Sequence, residues 1–148
     1  MELAEDPLID DVVIPLLRKL GFRNVGRVSH HGPGEAGVDI GPFSKLNPLG
    51  YLEWYGAQTK AEKITAGGSG NVDKIINQLE EAFRTPRNYM GQDVMIHTMY
   101  LICSKDVTHD ADVQLDIAIK GFESRGHVVR KIKRDNLLEM MVDENFTF

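Results

Sequence analysis

The stretch Gly37-Val38-Asp39-Ile40, followed by Gln58-Thr59-Lys60, decides the predicted fold of this chain. An acidic residue ends the first apolar run, and a polar-x-lysine triplet ends the next one. Neighbouring strands that end in this way bring one carboxylate, one amide oxygen and one ammonium to a single edge of a bent sheet. That combination suits the metal-assisted cleavage of a phosphodiester bond.

The composition is that of a soluble globular protein. The chain has 148 residues, of which 42% are hydrophobic and 26% charged, and this size is typical of one domain. No apolar run is long enough to span a membrane, and the acidic start MELAED differs from the basic start of a signal peptide. The single cysteine, Cys103, excludes an internal disulfide and favours a reducing compartment such as the cytoplasm. We therefore expect one domain over 1–148, cut from a longer protein just after its last helix.

Hydrophobic periodicity predicts the element order α-β-β-β-α-β-α-β-α. Asp6-Pro7 is a typical helix start and Gly21 a typical stop. The predicted elements are a helix over 6–20, strands over 22–29, 36–43 and 51–60, a helix over 71–83, a strand over 95–103, a helix from 108 or 110 to 122, a strand over 127–132 and a helix from 135. A meander followed by strands that alternate with helices predicts an α/β fold, with a mixed sheet flanked by helices on both faces.

The net charge argues against a protein that binds nucleic acid unaided. It is −5, whereas phosphate contacts dominate the affinity of proteins for nucleic acid. Basic residues are concentrated between Lys120 and Arg134, where Glu123 is the only acid. This segment is either a solvated helix end with an edge strand, or a surface that contacts phosphates. The candidate nucleic-acid contacts are His31, Lys63, Arg130, Lys131, Lys133 and Arg134.

The motifs and the element order together resemble the PD-(D/E)xK nuclease superfamily, and within it the Mrr-like restriction endonuclease domains. The stretch from Ile9-Asp10 to Gly21-Phe22 is similar to the first helix of that family. Gly37-Val38-Asp39-Ile40 is similar to its metal-binding motif, and Gln58-Thr59-Lys60 to the Q-x-K form of its E-x-K motif. Residues 31–39, with the triplet after them, are also similar to nuclease domains fused to NTPase sensors in antiphage defence. The resemblance covers nearly the whole chain and implies a restriction-endonuclease-like fold and a Mg²⁺-dependent DNA endonuclease, with Mn²⁺ as a substitute ion.

The residue types suit this chemistry. Mg²⁺ prefers carboxylate and carbonyl oxygens, so Asp39 is the predicted ligand, with the amide oxygen of Gln58 and the backbone carbonyl of Thr59 beside it. Lys60 alternates to the same face as Gln58 and is expected to orient the attacking water or to stabilise developing charge. Asp39, Gln58 and Lys60 therefore form the predicted catalytic core.

Two further carboxylates are auxiliary catalytic candidates, because Gln58 is neutral where many members of the superfamily carry glutamate. Glu35 lies four residues before Asp39 and becomes a second metal ligand if the backbone between them is extended. Otherwise Glu35 is a turn residue that faces water. Asp10 joins the site if its helix packs across the meander, and otherwise it is a solvated helix residue.

Alternatives to an endonuclease of linear DNA remain open at this point. The neutral Gln58 permits an inactive nuclease-like module that binds nucleic acid or a protein partner, and a Holliday-junction resolvase-like nuclease shares the same fold. One such site cuts one strand. Double-strand cleavage therefore implies a homo-oligomer. The acidic net charge fits a domain that a fused or partner sensor domain holds near DNA.

Overall fold

The computed structural model of the chain describes residues 5–28 and 37–144. Its elements are α1 (Glu5–Pro7), a π-helical segment (Leu8–Val13), α2 (Ile14–Lys19), β1 (Ile40–Leu46), β2 (Leu52–Lys60), α3 (Val72–Arg84), β3 (Arg87–Tyr89), β4 (Gln92–Val94), β5 (Thr98–Cys103), α4 (His109–Ser124), β6 (Val128–Ile132) and α5 (Arg134–Asp143). Within these residues, no helix is both long and apolar enough to cross a bilayer.

A four-stranded mixed sheet in the order β1-β2-β5-β6 forms the centre of the molecule. β1 runs antiparallel to β2, whereas β2, β5 and β6 are parallel. Parallel neighbours need crossover connections, which contain α3 and α4. The prediction of an α/β fold with a mixed sheet flanked by helices is confirmed, and the arrangement is consistent with a restriction-endonuclease-like fold.

The sheet separates two hydrophobic cores. One core joins α3 and α4 to the sheet and includes Leu79, Leu101 and Leu115. The other joins the N-terminal helices and α5 to the opposite face and includes Val12 and Ile102. Burying such a side chain contributes about 1.5–3 kcal/mol. Alternate side chains of β2 therefore face different helices. One set faces α3 and α4, and the other faces the N-terminal helices and α5.

The predicted strand over 22–29 is wrong for the residues that the structure describes. Residues 22–28 run beside β1, but only two isolated bridges join them to it, from Arg23 to Ser44 and from Arg27 to Ile40. Asn24 lies between the two bridges with a φ of +62°, a left-handed conformation that interrupts an extended ladder. The apolar residues between two turn signals had indicated a strand, but such a pattern carries no information about this left-handed residue.

A small hairpin over 87–94 was not predicted. β3 and β4 pair in it as a separate two-stranded sheet. Met90 and Gly91 both have positive φ, at +50° and +84°, as a tight hairpin turn requires. The glycine was a visible turn signal, but strands of three residues are too short to produce a recognisable alternation.

Gly37 sets how closely the chain before β1 approaches α3. Its φ is +81°, and a Cβ at this position would overlap the backbone carbonyl of Gln78. The glycine of the first motif is therefore required for close contact as well as for its backbone conformation. Asp39 lies two residues after Gly37, so this contact also sets its distance from α3. That helix carries a polar side chain of the candidate site.

We expect Gly37→Ala to lower the free energy of unfolding by more than the roughly 1–2 kcal/mol that a left-handed alanine costs, because α3 must also move. Gly50→Ala is the matched control, since Gly50 has a similar φ of +86° and no atom within 4 Å of an added Cβ. Denaturant unfolding of both variants measures the difference. Equal losses would show that the chain does not approach α3 in this way.

Candidate active site

Asp39 lies immediately before β1 and is held from two sides by its backbone. Its N–H donates to the carbonyl of Ala57 at 3.0 Å, and its carbonyl accepts from the N–H of Val28 at 3.0 Å. Its half-buried carboxylate accepts hydrogen bonds through Oδ2 from the backbone N–H of Thr59 at 2.8 Å and from Thr59 Oγ1 at 3.3 Å. Regular pairing with β2 ends at Ile40 and Ala57. If β1 began earlier in the chain, one of its backbone carbonyls would accept from the N–H of Thr59. The carboxylate of Asp39 takes the place of that acceptor.

The carbonyl of Thr59 faces the same edge of β2. The N–H and C=O groups of one strand residue point towards the same neighbouring strand, and the N–H of Thr59 points towards Asp39. The next carbonyl, that of Lys60, points towards β5 and accepts from the N–H of Ser104 at 3.1 Å. The predicted metal ligands Asp39 and Thr59 are therefore adjacent at one edge.

Gln58 and Lys60 both face α3, as their alternation predicted. They pair in register with Leu101 and Cys103 of β5, which belong to the core on that side of the sheet. Gln58 Nε2 donates to Gln78 Oε1 at 2.6 Å, and Lys60 Nζ donates to the same oxygen at 3.0 Å. One oxygen of α3 therefore holds both side chains of the Q-x-K motif.

Gln78 is the site residue that the sequence reasoning missed. It lies three residues after Ile75 and four before Ala82, both of which are buried. A polar residue within an apolar helix stripe was a signal that could have identified it. Nothing in the sequence, however, indicated which strand residues it would contact.

The contacts of Gln78 determine the orientation of the Gln58 amide. A lysine ammonium can only donate, so Gln78 presents its oxygen to Lys60. Gln58 must then present its NH₂ group to that oxygen, which turns its own Oε1 away. Gln58 is only 2% exposed, and its Oε1 has no hydrogen-bond partner among the described residues. A buried acceptor left in this state costs about 1–3 kcal/mol.

This unpartnered oxygen fits a hard cation. Carboxylate, amide and backbone carbonyl oxygens are the ligands that Mg²⁺ and related ions prefer, and Asp39, Gln58 and Thr59 offer one of each. Among residues 5–28 and 37–144, no group of three or more His, Cys, Asp and Glu side chains is gathered as for a metal ion. Of the three candidate ligands among the described residues, only the carboxylate of Asp39 is charged. The amide oxygen of Gln58 and the carbonyl of Thr59 are neutral.

Comparison with models of protein families, with curated proteins and with solved structures finds no match to this chain. The resemblance to the PD-(D/E)xK superfamily therefore stays a prediction. The contacts among Asp39, Thr59, Gln58, Lys60 and Gln78 are the observations on which a function can be argued.

Of the two auxiliary candidates, only Asp10 lies among the described residues. Glu35 lies outside the described residues, as does the candidate phosphate contact His31. Asp10 is exposed and forms an ion pair with Arg27 at 3.4 Å. Arg27 bridges Ile40, so Asp10 lies near the start of β1, but its helix packs on the face opposite Gln58 and Lys60.

Most of the predicted basic patch is paired with acids. Lys131 and Lys133 contact the two oxygens of Asp112 at 2.6 and 2.7 Å, and Arg134 contacts Asp106 at 3.3 Å. Both residues of the Arg134–Asp106 ion pair are exposed. The remaining candidates, Arg130 and Lys63, are exposed as well. The positive charge that the sequence concentrates between 120 and 134 is therefore largely neutralised within the fold.

Cys103 is a buried structural residue, as its apolar surroundings in the sequence predicted. Burial raises the pKa of its thiol to about 12, against the opposing effect of nearby lysines such as Lys133. The thiol is therefore protonated at neutral pH and is a poor nucleophile.

Asp39→Ala should lower the free energy of unfolding by about 1–3 kcal/mol, because it leaves the fully buried Thr59 with an unsatisfied N–H. Asp39→Asn should cost less, since its amide oxygen can still accept that hydrogen bond. Denaturant unfolding of both variants measures the two losses. If Asp39→Ala is as stable as the wild type, the carboxylate has no role in closing this edge of β2.

The stability of the fold should fall in acid through the Asp112 cluster, which we define as Asp112, Asp116, Lys131 and Lys133. Burial alone would raise the pKa of Asp112, but hydrogen bonds from Lys131 and Lys133 lower it overall. A lowered folded-state pKa stabilises the fold above the unfolded value of about 3.9, and this stabilisation is lost as the pH falls through the folded value.

Asp112→Asn should therefore be less stable than the wild type at pH 7, and the difference should shrink below a pH of about 4. Asp110→Asn is the control, since Asp110 is exposed in the same first turn of α4 and has no ion-pair partner among the described residues. Unfolding curves across pH measure both variants. A difference that persists unchanged in acid would contradict the assignment.

Proposed function

We propose that this chain is a metal-dependent endodeoxyribonuclease that hydrolyses phosphodiester bonds at the edge formed by Asp39, Gln58 and Lys60. The observation that carries the proposal is the buried Oε1 of Gln58, which has no hydrogen-bond partner among the described residues, while the NH₂ group of the same side chain donates to Gln78. Folded proteins rarely leave such an oxygen unpaired, and a bound cation would complete it.

Each residue has a separate task in this proposal. Asp39, Gln58 and the carbonyl of Thr59 hold Mg²⁺, for which Mn²⁺ can substitute. The bound ion would supply Lewis acidity and lower the pKa of a coordinated water. Lys60 places its ammonium where negative charge develops on the phosphoryl oxygens. Gln78 keeps Gln58 and Lys60 in one orientation, so that little reorganisation is needed when the substrate binds.

The setting of the domain is proposed from the sequence. One site cleaves one strand, so double-strand cleavage would require a homo-oligomer. The net charge of −5 favours a partner or fused sensor domain that brings this domain to DNA. The buried free thiol of Cys103 favours a reducing, cytoplasmic setting. A place in restriction or antiphage defence rests on the resemblance alone.

A module that binds nucleic acid or protein without cleavage is the second candidate function. The hydrogen bonds from Thr59 to Asp39 and from Lys60 to Gln78 also stabilise the fold, so a non-catalytic domain has a physical reason to keep them. The two functions differ in outcome, because the module would bind DNA and leave it intact. A resolvase-like nuclease would instead prefer a four-way junction to linear DNA.

The test is incubation of supercoiled plasmid, linear duplex and a four-way junction with the protein, with Mg²⁺, Mn²⁺ or a chelator. We expect strand cleavage that requires the divalent ion. Asp39→Asn and Lys60→Met should each slow cleavage about 100-fold or more, as loss of one stabilising group in a reaction centre does. Lys120→Met, which removes an exposed charge on α4, is the matched control.

Unchanged cleavage in Asp39→Asn would remove the carboxylate from the mechanism. Binding without cleavage under every metal condition would favour the second candidate function. Circular dichroism of each variant separates loss of chemistry from loss of fold.

A further inference from the structure

The side of α3 that contacts the candidate site continues towards its N-terminus. Asn71, Lys74 and Gln78 are spaced three and four residues apart, so they lie on one stripe of the helix. Gln78 holds Lys60, and Lys74 is exposed one turn before it. The stripe therefore carries the exposed ammonium of Lys74 next to Gln78, which accepts a hydrogen bond from Lys60.

The segment that follows Lys60 is tied to the same stripe. Asn71 Nδ2 donates to the backbone carbonyl of Lys63 at 3.0 Å, and Asn71 Oδ1 accepts from the N–H of Thr65 at 2.9 Å. Two hydrogen bonds thus place Lys63 at the beginning of α3, three residues from the candidate catalytic lysine. Its side chain is exposed there.

The charges of Lys63 and Lys74 are not neutralised by neighbouring acids. Among the described residues, neither side chain forms an ion pair or a hydrogen bond. Asp73 is next to Lys74 in sequence, but it does not lie on the stripe. At 3.6 residues per turn, its side chain leaves the helix about 140° from that of Gln78. Glu62 is exposed and forms no ion pair with Lys63. These two lysines differ in this respect from Lys131, Lys133 and Arg134.

We infer that the phosphate backbone of the substrate passes along this stripe of α3 and is contacted by Lys63 and Lys74, and that the basic segment from Lys120 to Arg134 is not the main phosphate-binding surface. The inference rests on the proposed function. Lysines contact phosphates as point charges and release counterions when they bind. Two free ammonium groups beside Lys60 would bring a phosphodiester to the site, whereas paired lysines would first have to leave their carboxylates.

The experiment is the affinity of the protein for a short fluorescent DNA duplex, measured by anisotropy across a salt series in the presence of a chelator, so that no cleavage occurs. Each lysine that contacts a phosphate should contribute about one unit to the slope of log Kobs against log salt. The Lys63→Ala/Lys74→Ala double variant should therefore lose about two units of slope and bind more weakly to every sequence. In the plasmid assay it should raise KM and leave kcat nearly unchanged.

The matched control is Arg23→Ala/Lys45→Ala, which removes the same charge from two exposed positions near the C-terminal end of β1, outside both candidate surfaces, and should keep the wild-type slope. Arg130→Ala tests the rival surface directly. A slope that changes in Arg130→Ala but not in the double lysine variant would overturn the inference. It would leave the proposed function standing if the wild type cleaves plasmid. A wild-type protein that neither binds nor cleaves DNA would overturn the proposed function, and with it this inference.

Discussion

The hydrogen bond from the backbone N–H of Thr59 to the carboxylate of Asp39, at 2.8 Å, joins the two motifs of this chain. It forms where β1 stops pairing with β2, so a side chain completes a ladder that the backbone leaves open. Because Oδ2 is used in this contact, the orientation of the carboxylate is set by the sheet. The position of the candidate site therefore follows from where β1 begins.

The second fixed contact comes from α3, on the face of the sheet where one core is packed. Gln78 accepts from Gln58 and Lys60 through one oxygen, and the close approach at Gly37 brings the first motif to the same helix. A helix packed on the sheet by its apolar residues therefore also positions the polar ones. The result is an amide whose buried oxygen has no partner among residues 5–28 and 37–144. Such a group is costly for the fold alone, and it is accounted for if the site binds a cation.

Under the proposed function, the distribution of charge decides which surface of this acidic protein contacts nucleic acid. Asp112 and Asp106 neutralise Lys131, Lys133 and Arg134, so the basic segment stabilises the packing of α4 and α5 against the sheet. Lys63 and Lys74, near the beginning of α3, form no ion pair within the part of the chain that the structure describes. Few phosphates can be neutralised at once by so small a set, and an isolated domain would bind DNA weakly and with strong dependence on salt. A partner or a second copy would raise the effective concentration without new contacts.

The sequence by itself determined the fold class, the approximate positions of β2, β5, β6 and α3 to α5, and the placement of Gln58 and Lys60 on one face, because these depend on periodicities of 3.6 and 2 residues along the chain. It placed the first sheet strand over 36–43, whereas β1 spans Ile40–Leu46. Asp39 was predicted as a ligand, but its hydrogen bonds to Thr59 depend on where β1 begins. Only the tertiary structure brought Gln78 to the triplet, paired Lys131 with Asp112, and reduced residues 22–28 to isolated bridges beside β1. Such contacts join residues far apart in sequence, and they are decided by how helices pack on the sheet and by which buried polar groups find partners, neither of which a local pattern contains.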